Sequence, residues 1–362
     1  METLVGRRRF LAAAGAAALA GCLGGGGRSA TDTVQASGRP PTTDADRPLP
    51  MEPSALRERA VSGGPPKDGI PAIEDPEFVG ADAVSTWLDP GDPVFGLYTG
   101  ETARAYPQSI LVQHEICNDV VEGTPVSVTY CPLTGTAMGF ERGATTFGVS
   151  GRLVNNNLIM YDRATERWWP QVLATSIPGP WNEDPEPGSL REFRLVWTTW
   201  GRWRDARPDT AVLSRDTGFA RNYDDDPYGS YNPRGGYYAD GKPLFEALAT
   251  DERLPPKTVV IGARTAGGAV AFGKDALREA KLLEGDLGGR HALAVYDTDL
   301  DTGYVYRAPD DADLAYRDGQ VVVGGEAHPP AALPLERVYA FDAMWFAWSG
   351  FYPETTLVTA DG

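Results

Sequence analysis

The sequence has no long hydrophobic run, few lysines, and very few cysteines or histidines. Its apolar stretch near the N-terminus, residues 10–20, has eleven residues, which is short of the roughly 20 that span a bilayer. No other segment reaches that length, so we expect no transmembrane helix. Only five of the 33 basic residues are lysine, against 50 acidic residues, and the formal net charge is −17. Such a surface disfavours nucleic-acid partners and is typical of proteins kept soluble in concentrated salt.

The first residues carry an export signal. Arg7, Arg8 and Arg9 stand directly before the apolar stretch, which is the pattern of a twin-arginine signal. The stretch ends in Leu19, Ala20, Gly21 and Cys22, which resembles the lipobox of secreted lipoproteins. We therefore expect lipidation of Cys22. The predicted location is the extracellular face of the cell membrane, and the predicted partner is the membrane itself, through the lipid anchor.

The composition along the chain predicts four regions. Residues 1–21 are the signal peptide, and residues 22–69 are the lipidated cysteine and a disordered tether rich in Gly, Pro and Asp. Residues 70–250 are a first β-rich repeat, and residues 251–362 are a second, degenerate one. Short alternating runs such as 126–130 and 257–261 predict strands, and three- and four-residue spacing predicts helices at 107–116, 274–283 and 341–349.

Self-comparison is the basis for two repeats. Residues 94–106 match residues 260–272 at an offset of 166, without a gap. At an offset of 145, the residues Trp200, Trp203, Pro208 and Thr210 match Trp345, Trp348, Pro353 and Thr355. We interpret this as a tandem duplication. The predicted fold is α+β and predominantly β, with two repeats forming a sandwich or barrel-like body.

One set of reactive residues occurs in the first repeat and is missing at the matching positions of the second. His114, Glu115, Cys117 and Asn118 end the first helix, and Cys131 begins a turn between two strands. The second repeat replaces the histidine and the two cysteines with Ala280, Leu283 and Asp297. Residues shared by both repeats are expected to pack, so those present in one repeat are candidates for function.

These residues also carry a resemblance to the family built on domain of unknown function 3179 (DUF3179). The likeness covers roughly residues 70 to 360, with motifs at 105–107, 114–119, 130–137, 147–151, 160–163 and 208–210. The chain resembles a halophilic archaeal member exported as a lipoprotein. The resemblance implies no established activity. Similar members often have a second cysteine where this chain has Thr134, which suggests that Cys117 replaces the missing thiol.

Three interpretations of these residues remain open. Cys117 and Cys131 are the thiols left once Cys22 is lipidated, and an oxidising exterior favours a disulfide between them. Alternatively, His114, Cys117 and Cys131 bind copper or zinc as soft ligands. In the third interpretation, Cys131 is the nucleophile of a cysteine-dependent enzyme and His114 is its base, with Glu115 or Asn118 orienting the ring.

A second polar cluster predicts a pocket for a sugar or another polar ligand. Its candidate binding residues are Asn156, Asp162, Arg163, Trp169 and Gln171. The alternative is a turn followed by a half-buried strand. The sequence thus predicts an extracellular lipoprotein that acts as a binding or redox-related module, with a cell-surface cysteine enzyme as the alternative.

Overall fold

The computed structural model describes residues 38–239 and 241–360. The predicted export signal, the predicted lipidation site Cys22 and the first part of the predicted tether lie outside these residues. Among the described residues, no helix combines the length and the apolar character that crossing a membrane requires.

The helices of the described part are short, with six or seven residues each. They are α1 (Pro53–Glu58), α2 (Gln108–His114), α3 (Trp200–Ala206), α4 (Lys274–Ala280) and α5 (Trp345–Phe351), with a 3₁₀ turn at Ala81–Val84. Helix α2 buries Ile110 and Leu111 and ends at Glu115, whose φ of 59° cannot continue a right-handed helix. The three helices predicted from the sequence are confirmed with somewhat different ends, whereas α1 and α3 were not predicted.

The strands of the first part of the chain are short and mostly buried. They are β1 (Thr42–Thr43), β2 (Val61–Ser62), β3 (Phe78–Gly80), β4 (Pro93–Tyr98), β5 (Ala103–Pro107), β6 (Ile116–Val121), β7 (Thr124–Cys131), β8 (Thr136–Glu141), β9 (Phe147–Val154), β10 (Asn157–Asp162), β11 (Trp168–Pro170), β12 (Ser189–Leu190), β13 (Glu192–Phe193), β14 (Val196–Thr199), β15 (Ala211–Leu213), β16 (Gly229–Tyr231) and β17 (Arg234–Gly236).

The strands of the second part are also short. They are β18 (Val259–Thr265), β19 (Gly268–Gly273), β20 (Leu282–Asp286), β21 (His291–Asp297), β22 (Thr302–Arg307), β23 (Leu314–Arg317), β24 (Gln320–Val323), β25 (Glu326–His328), β26 (Glu336–Val338), β27 (Ala340–Met344) and β28 (Thr356–Val358).

The larger sheets are open. Their strand orders are β14-β4-β5-β15-β3 (sheet A), β27-β18-β19-β28 (sheet B), β13-β8-β7-β6 (sheet C), β20-β21-β22-β26 (sheet D), β11-β10-β9-β2 (sheet E) and β23-β24-β25 (sheet F). The protein is therefore mostly β, as predicted. No sheet formed by the described residues closes on itself, so the barrel alternative is wrong.

Sheets A and B have the same register. Gly96 pairs with Val196 in sheet A, and Gly262 pairs with Phe341 in sheet B. The pairs differ by 166 (262 minus 96) and 145 (341 minus 196), which are the offsets seen in the sequence. In both sheets a tryptophan of the following helix lies directly on the glycine, where a Cβ would be 2.2 Å from its ring.

The main core contains residues from both predicted repeats. Cys131, Met138 and Trp169 pack there with Trp345 and Trp348. Each half therefore covers apolar surface that the other half would expose alone. The boundary between residues 250 and 251 stays a prediction.

Residues 38–69, the described part of the predicted disordered tether, are packed against the fold. They contain β1, α1 and β2, and Leu56 is fully buried in the main core. Arg47 pairs with Glu192 at 2.8 Å, and both side chains are almost completely buried. The tether prediction is wrong for this part, because a few side chains anchor a segment whose composition alone indicates disorder.

Candidate functional site

His114 lies at the end of helix α2 and is fully buried. Its Nδ1 lies 2.7 Å from the carbonyl oxygen of Pro71, and its Nε2 lies 2.7 Å from the hydroxyl of Tyr223. Burial lowers the pKa of His114, which favours the neutral ring. Both ring nitrogens are therefore used by the protein itself, so His114 holds the helix end against its neighbours.

The two cysteines lie on opposite faces of sheet C. Cys117 on β6 is opposite Val128 on β7, so the two side chains share one face. Cys131 is three residues further along β7, which places it about 10 Å away and on the other face. A disulfide needs Cα atoms within about 7 Å. Both cysteines are free and buried, so the predicted disulfide is wrong.

The predicted copper or zinc site fails for the same reason. His114, Cys117 and Cys131 do not converge, and no group of three His, Cys, Asp or Glu residues in the described part of the chain is arranged to hold a metal ion. Neighbouring positions of a strand point to opposite faces. These residues are therefore close in the sequence, but their side chains do not meet.

Cys131 is enclosed by backbone groups. Its Sγ lies 3.4 Å from the amide nitrogen of Leu158 and 3.5 Å from the carbonyl oxygen of Asn156. Burial raises the pKa of the Cys131 thiol to about 11, and the nearby charge of Glu115 acts in the same direction. The thiol is therefore neutral at pH 7, which disfavours a nucleophile. The catalytic assignment of Cys131, His114, Glu115 and Asn118 stays a prediction.

Glu115 is the least satisfied polar group of the predicted set. It is 6% exposed, and its carboxyl group forms no hydrogen bond with any described residue. Its backbone amide and carbonyl bond Leu111 and Tyr130, which fixes the residue in its left-handed conformation. Burial raises the pKa of Glu115 to about 8, so the carboxyl group is mostly protonated at pH 7.

The side chain of Asn118 is fully used in hydrogen bonds within the protein. Its amide group donates to the carbonyl oxygen of Phe147 at 2.9 Å and to Glu74 at 3.2 Å. Its side-chain oxygen accepts from the hydroxyl of Ser127 and from the amide of Phe147. These bonds connect sheets C and E.

The polar groups of the second predicted cluster likewise bond to other groups of the protein. Asn156 exchanges two hydrogen bonds with the backbone of Phe245, at 2.9 and 2.7 Å. Asp162 accepts from the indole of Trp169 at 3.0 Å, and Gln171 donates to the hydroxyl of Thr129 at 2.8 Å. Arg163 pairs on the surface with Asp68 and Glu74. All of the predicted side chains except Arg163 are buried, and assignment of the cluster to ligand binding stays a prediction.

Residues 223–238, which we call the tyrosine cover, lie over this region. The hydroxyl of Tyr237 donates to the carbonyl oxygen of Leu133 at 2.8 Å. Gln108 donates to Asp226 at 2.8 Å, and Tyr238 donates to the same carboxylate at 3.0 Å. The cover therefore closes the space above Cys131 and Glu115.

A polar cavity that the sequence did not reveal opens beside the cover, where sheets A and B meet. We call it the junction cavity, and its volume is about 310 Å³. Its charged side chains are Arg234, Lys257, Lys274, Arg278, Asp275, Asp301 and Asp342. Trp197 and Tyr231 form its aromatic wall, with ring centroids 4.7 Å apart. The edge strands of both sheets, β14 and β27, contribute residues to it.

The charges of the junction cavity are mostly fixed by the protein. Lys274 and Asp342 form an ion pair at 2.6 Å with both side chains largely buried. Arg278 pairs with Asp275 and Asp301. Arg234 forms no ion pair within the described ranges, and its guanidinium group lies over the ring of Tyr231. One sequence signal was available: two of only five lysines in the chain lie here.

Comparison with known proteins gives one finding about the family and none about activity. The model of the DUF3179 family, described as a protein of unknown function, matches residues 67–355. No curated protein and no solved structure matches the chain.

Proposed function

The chain belongs to the DUF3179 family, and on that premise we propose that it is a binding module that holds a compact organic anion in the junction cavity. The observation that carries this proposal is a polar cavity with an aromatic wall at the meeting point of two sheets. Its volume of about 310 Å³ is at the lower end of the range of roughly 300–1,000 Å³ for small-molecule pockets. A ligand the size of a sugar acid or an amino acid fits this range.

The charges of the cavity favour an anion. The three carboxylates are all engaged by Lys274 or Arg278, whereas Arg234 has no such partner in the described residues. A carboxylate on the ligand would complete the pairing with Arg234. The parts of Trp197 and Tyr231 that line the cavity provide apolar surface for the carbon skeleton of the ligand.

Thermal denaturation with a panel of compounds tests this proposal. Uronic acids, neutral monosaccharides and amino acids are added to the purified protein, and we expect a compact carboxylate to raise the melting temperature. Arg234→Ala should reduce that increase. Arg317→Ala is the matched control, because Arg317 is exposed and lies outside the cavity. Failure of every carboxylate, or an equal effect in the Arg234→Ala variant, would refute the proposal.

We propose further that the protein is lipidated on Cys22 and displayed on the outer face of the membrane of a salt-loving archaeon. The twin-arginine pattern before residue 10, the lipobox-like sequence and the net charge of −17 support this. Replacement of Cys22 by serine should release the protein from the membrane. The proposal fails if the Cys22→Ser variant stays in the membrane fraction.

The equivalence of sheets A and B supports the proposal that the fold arose by tandem duplication. Trp203 donates to Thr210 at 2.9 Å, and Trp348 donates to Thr355 at 2.9 Å. The left-handed Glu115 accepts from the amide of Tyr130, and Lys281 accepts in the same way from Tyr296. Under this proposal, the junction cavity lies where two copies of one unit meet.

A further inference from the structure

We propose that a second site, the arginine groove, binds a small organic di- or trianion such as a tricarboxylate or a phosphate ester. The arginine groove is a cavity of about 1150 Å³ that shares no lining residue with the junction cavity. Its walls come from strands β4 and β14, helix α3 and the strands of sheets C, D and F. Arg194, Arg207 and Arg337 line it, together with Tyr98 and Tyr304.

Two of the guanidinium groups meet at the ring of Tyr304, and the third lies on Tyr98. Arg194 and Arg337 lie 4.7 and 4.5 Å from the centre of its ring. Their guanidinium carbons are therefore at most about 9 Å apart. Arg207 lies 4.0 Å from the ring of Tyr98, and its charge also acts on Tyr304. Three like charges repel one another unless an anion lies between them.

None of the three arginines forms an ion pair in the described part of the chain. This is unexpected in a protein with 50 acidic residues. Two other buried arginines, Arg47 and Arg264, share the carboxylate of Glu192 at 2.8 and 2.6 Å. The groove therefore keeps guanidinium charge that the protein neutralises elsewhere.

Two of the arginines also have donors to spare. Arg207 and Arg337 each make a single hydrogen bond, to the carbonyl oxygens of Ala206 and Ala331. Arg194 is held more firmly, because it donates to Gly303 and Thr302 at 2.6 and 2.9 Å and also to Ala340. Arg194 thus provides a fixed charge, and the other two provide free N–H groups for carboxylate or phosphate oxygens.

The acidic residues of the groove favour a small ligand over a polymer. Asp297 is already engaged, because one of its oxygens accepts from the amides of Asp299 and Leu300 at 3.0 Å. Asp299, Asp318 and Glu122 line the same groove and are exposed, and Glu141 lines it while pairing with Arg191 at 3.7 Å. These charges repel a long polyanion that would lie across them. A small polyanion can lie among the arginines without crossing the acidic positions.

Equilibrium dialysis with labelled citrate tests the site. We expect saturable binding to the wild-type protein that weakens with added salt. The double variant Arg207→Gln, Arg337→Gln should bind at least roughly tenfold more weakly, since it loses two charged donors. Arg204→Gln is the matched control, because Arg204 lies on helix α3 outside the groove. Urea unfolding midpoints of all variants establish that they are folded.

Further measurements distinguish this proposal from its alternatives. Absence of saturable citrate binding, or equal binding by the double variant, overturns it. Tighter binding of dextran sulfate than of citrate would replace the small ligand with a polymer. The two sites are tested with different compounds and different variants, so this site can fail or succeed independently of the junction cavity.

Discussion

Replacement of Glu115 by glutamine tests how the buried carboxyl group affects stability. Each pH unit by which folding displaces a pKa corresponds to about 1.4 kcal/mol. The shift for Glu115 is from 4.5 to about 8, which sets a ceiling of roughly 5 kcal/mol. The folded state binds the proton more tightly than the unfolded state, so Glu115 lowers stability as pH rises from about 4.5 to about 8.

The Glu115→Gln variant should therefore match the wild-type protein most closely near pH 5. Glutamine has almost the same shape and stays neutral at every pH. Above pH 8 the variant should be more stable by several kcal/mol, up to the same ceiling of roughly 5 kcal/mol. The assay is the free energy of unfolding in urea at pH 5, 7 and 9, at constant high salt.

Glu122→Gln is the control for this experiment. Glu122 is exposed, and hydrogen bonding from Thr99 lowers the pKa of its carboxyl group. Its replacement should not increase stability at high pH. If the stability difference between wild type and Glu115→Gln is the same at pH 5 and pH 9, the burial argument for Glu115 is refuted.

Other predictions concern packing, thiols and the polar interior. Gly262→Ala should destabilise the protein by at least roughly 1–3 kcal/mol, because a Cβ there would lie 2.2 Å from the ring of Trp348; an unchanged urea midpoint would contradict this. Without denaturant, Cys117 and Cys131 should resist a thiol reagent, and both should react after unfolding; a cysteine that labels rapidly in the folded state would contradict their burial. Asn157→Ala should cost about 1–3 kcal/mol, since it removes the acceptor of the Val172 amide and the donor to Thr134 and Gln171; stability equal to wild type would contradict this.

The sequence predicted well those features that depend on local pattern. Alternation over residues 126–130 and 257–261 identified β7 and the start of β18, because successive side chains of a strand point to opposite faces. The offsets of 166 and 145 predicted that Gly96 and Gly262 occupy equivalent places, and the shared register of sheets A and B agrees with that. Both signals can be read from the sequence itself, either within a short segment or by comparing two similar segments.

The candidate site could not be predicted in the same way. His114, Cys117 and Cys131 are close in sequence, but the pleat of sheet C places the two sulfurs on opposite faces. The junction cavity joins residues as far apart as Trp197 and Asp342, and no local pattern connects them. Similarly, the segment 38–69 has a composition typical of disorder, whereas a few long-range contacts such as Arg47 to Glu192 fix it.

A crystal structure grown with the compound that gives the largest thermal stabilisation tests whether the junction cavity binds an organic anion. We expect density for that compound in the junction cavity, with its carboxylate at Arg234 and its carbon skeleton against Trp197 and Tyr231. Density for the compound elsewhere, with the junction cavity filled by water alone, would contradict it.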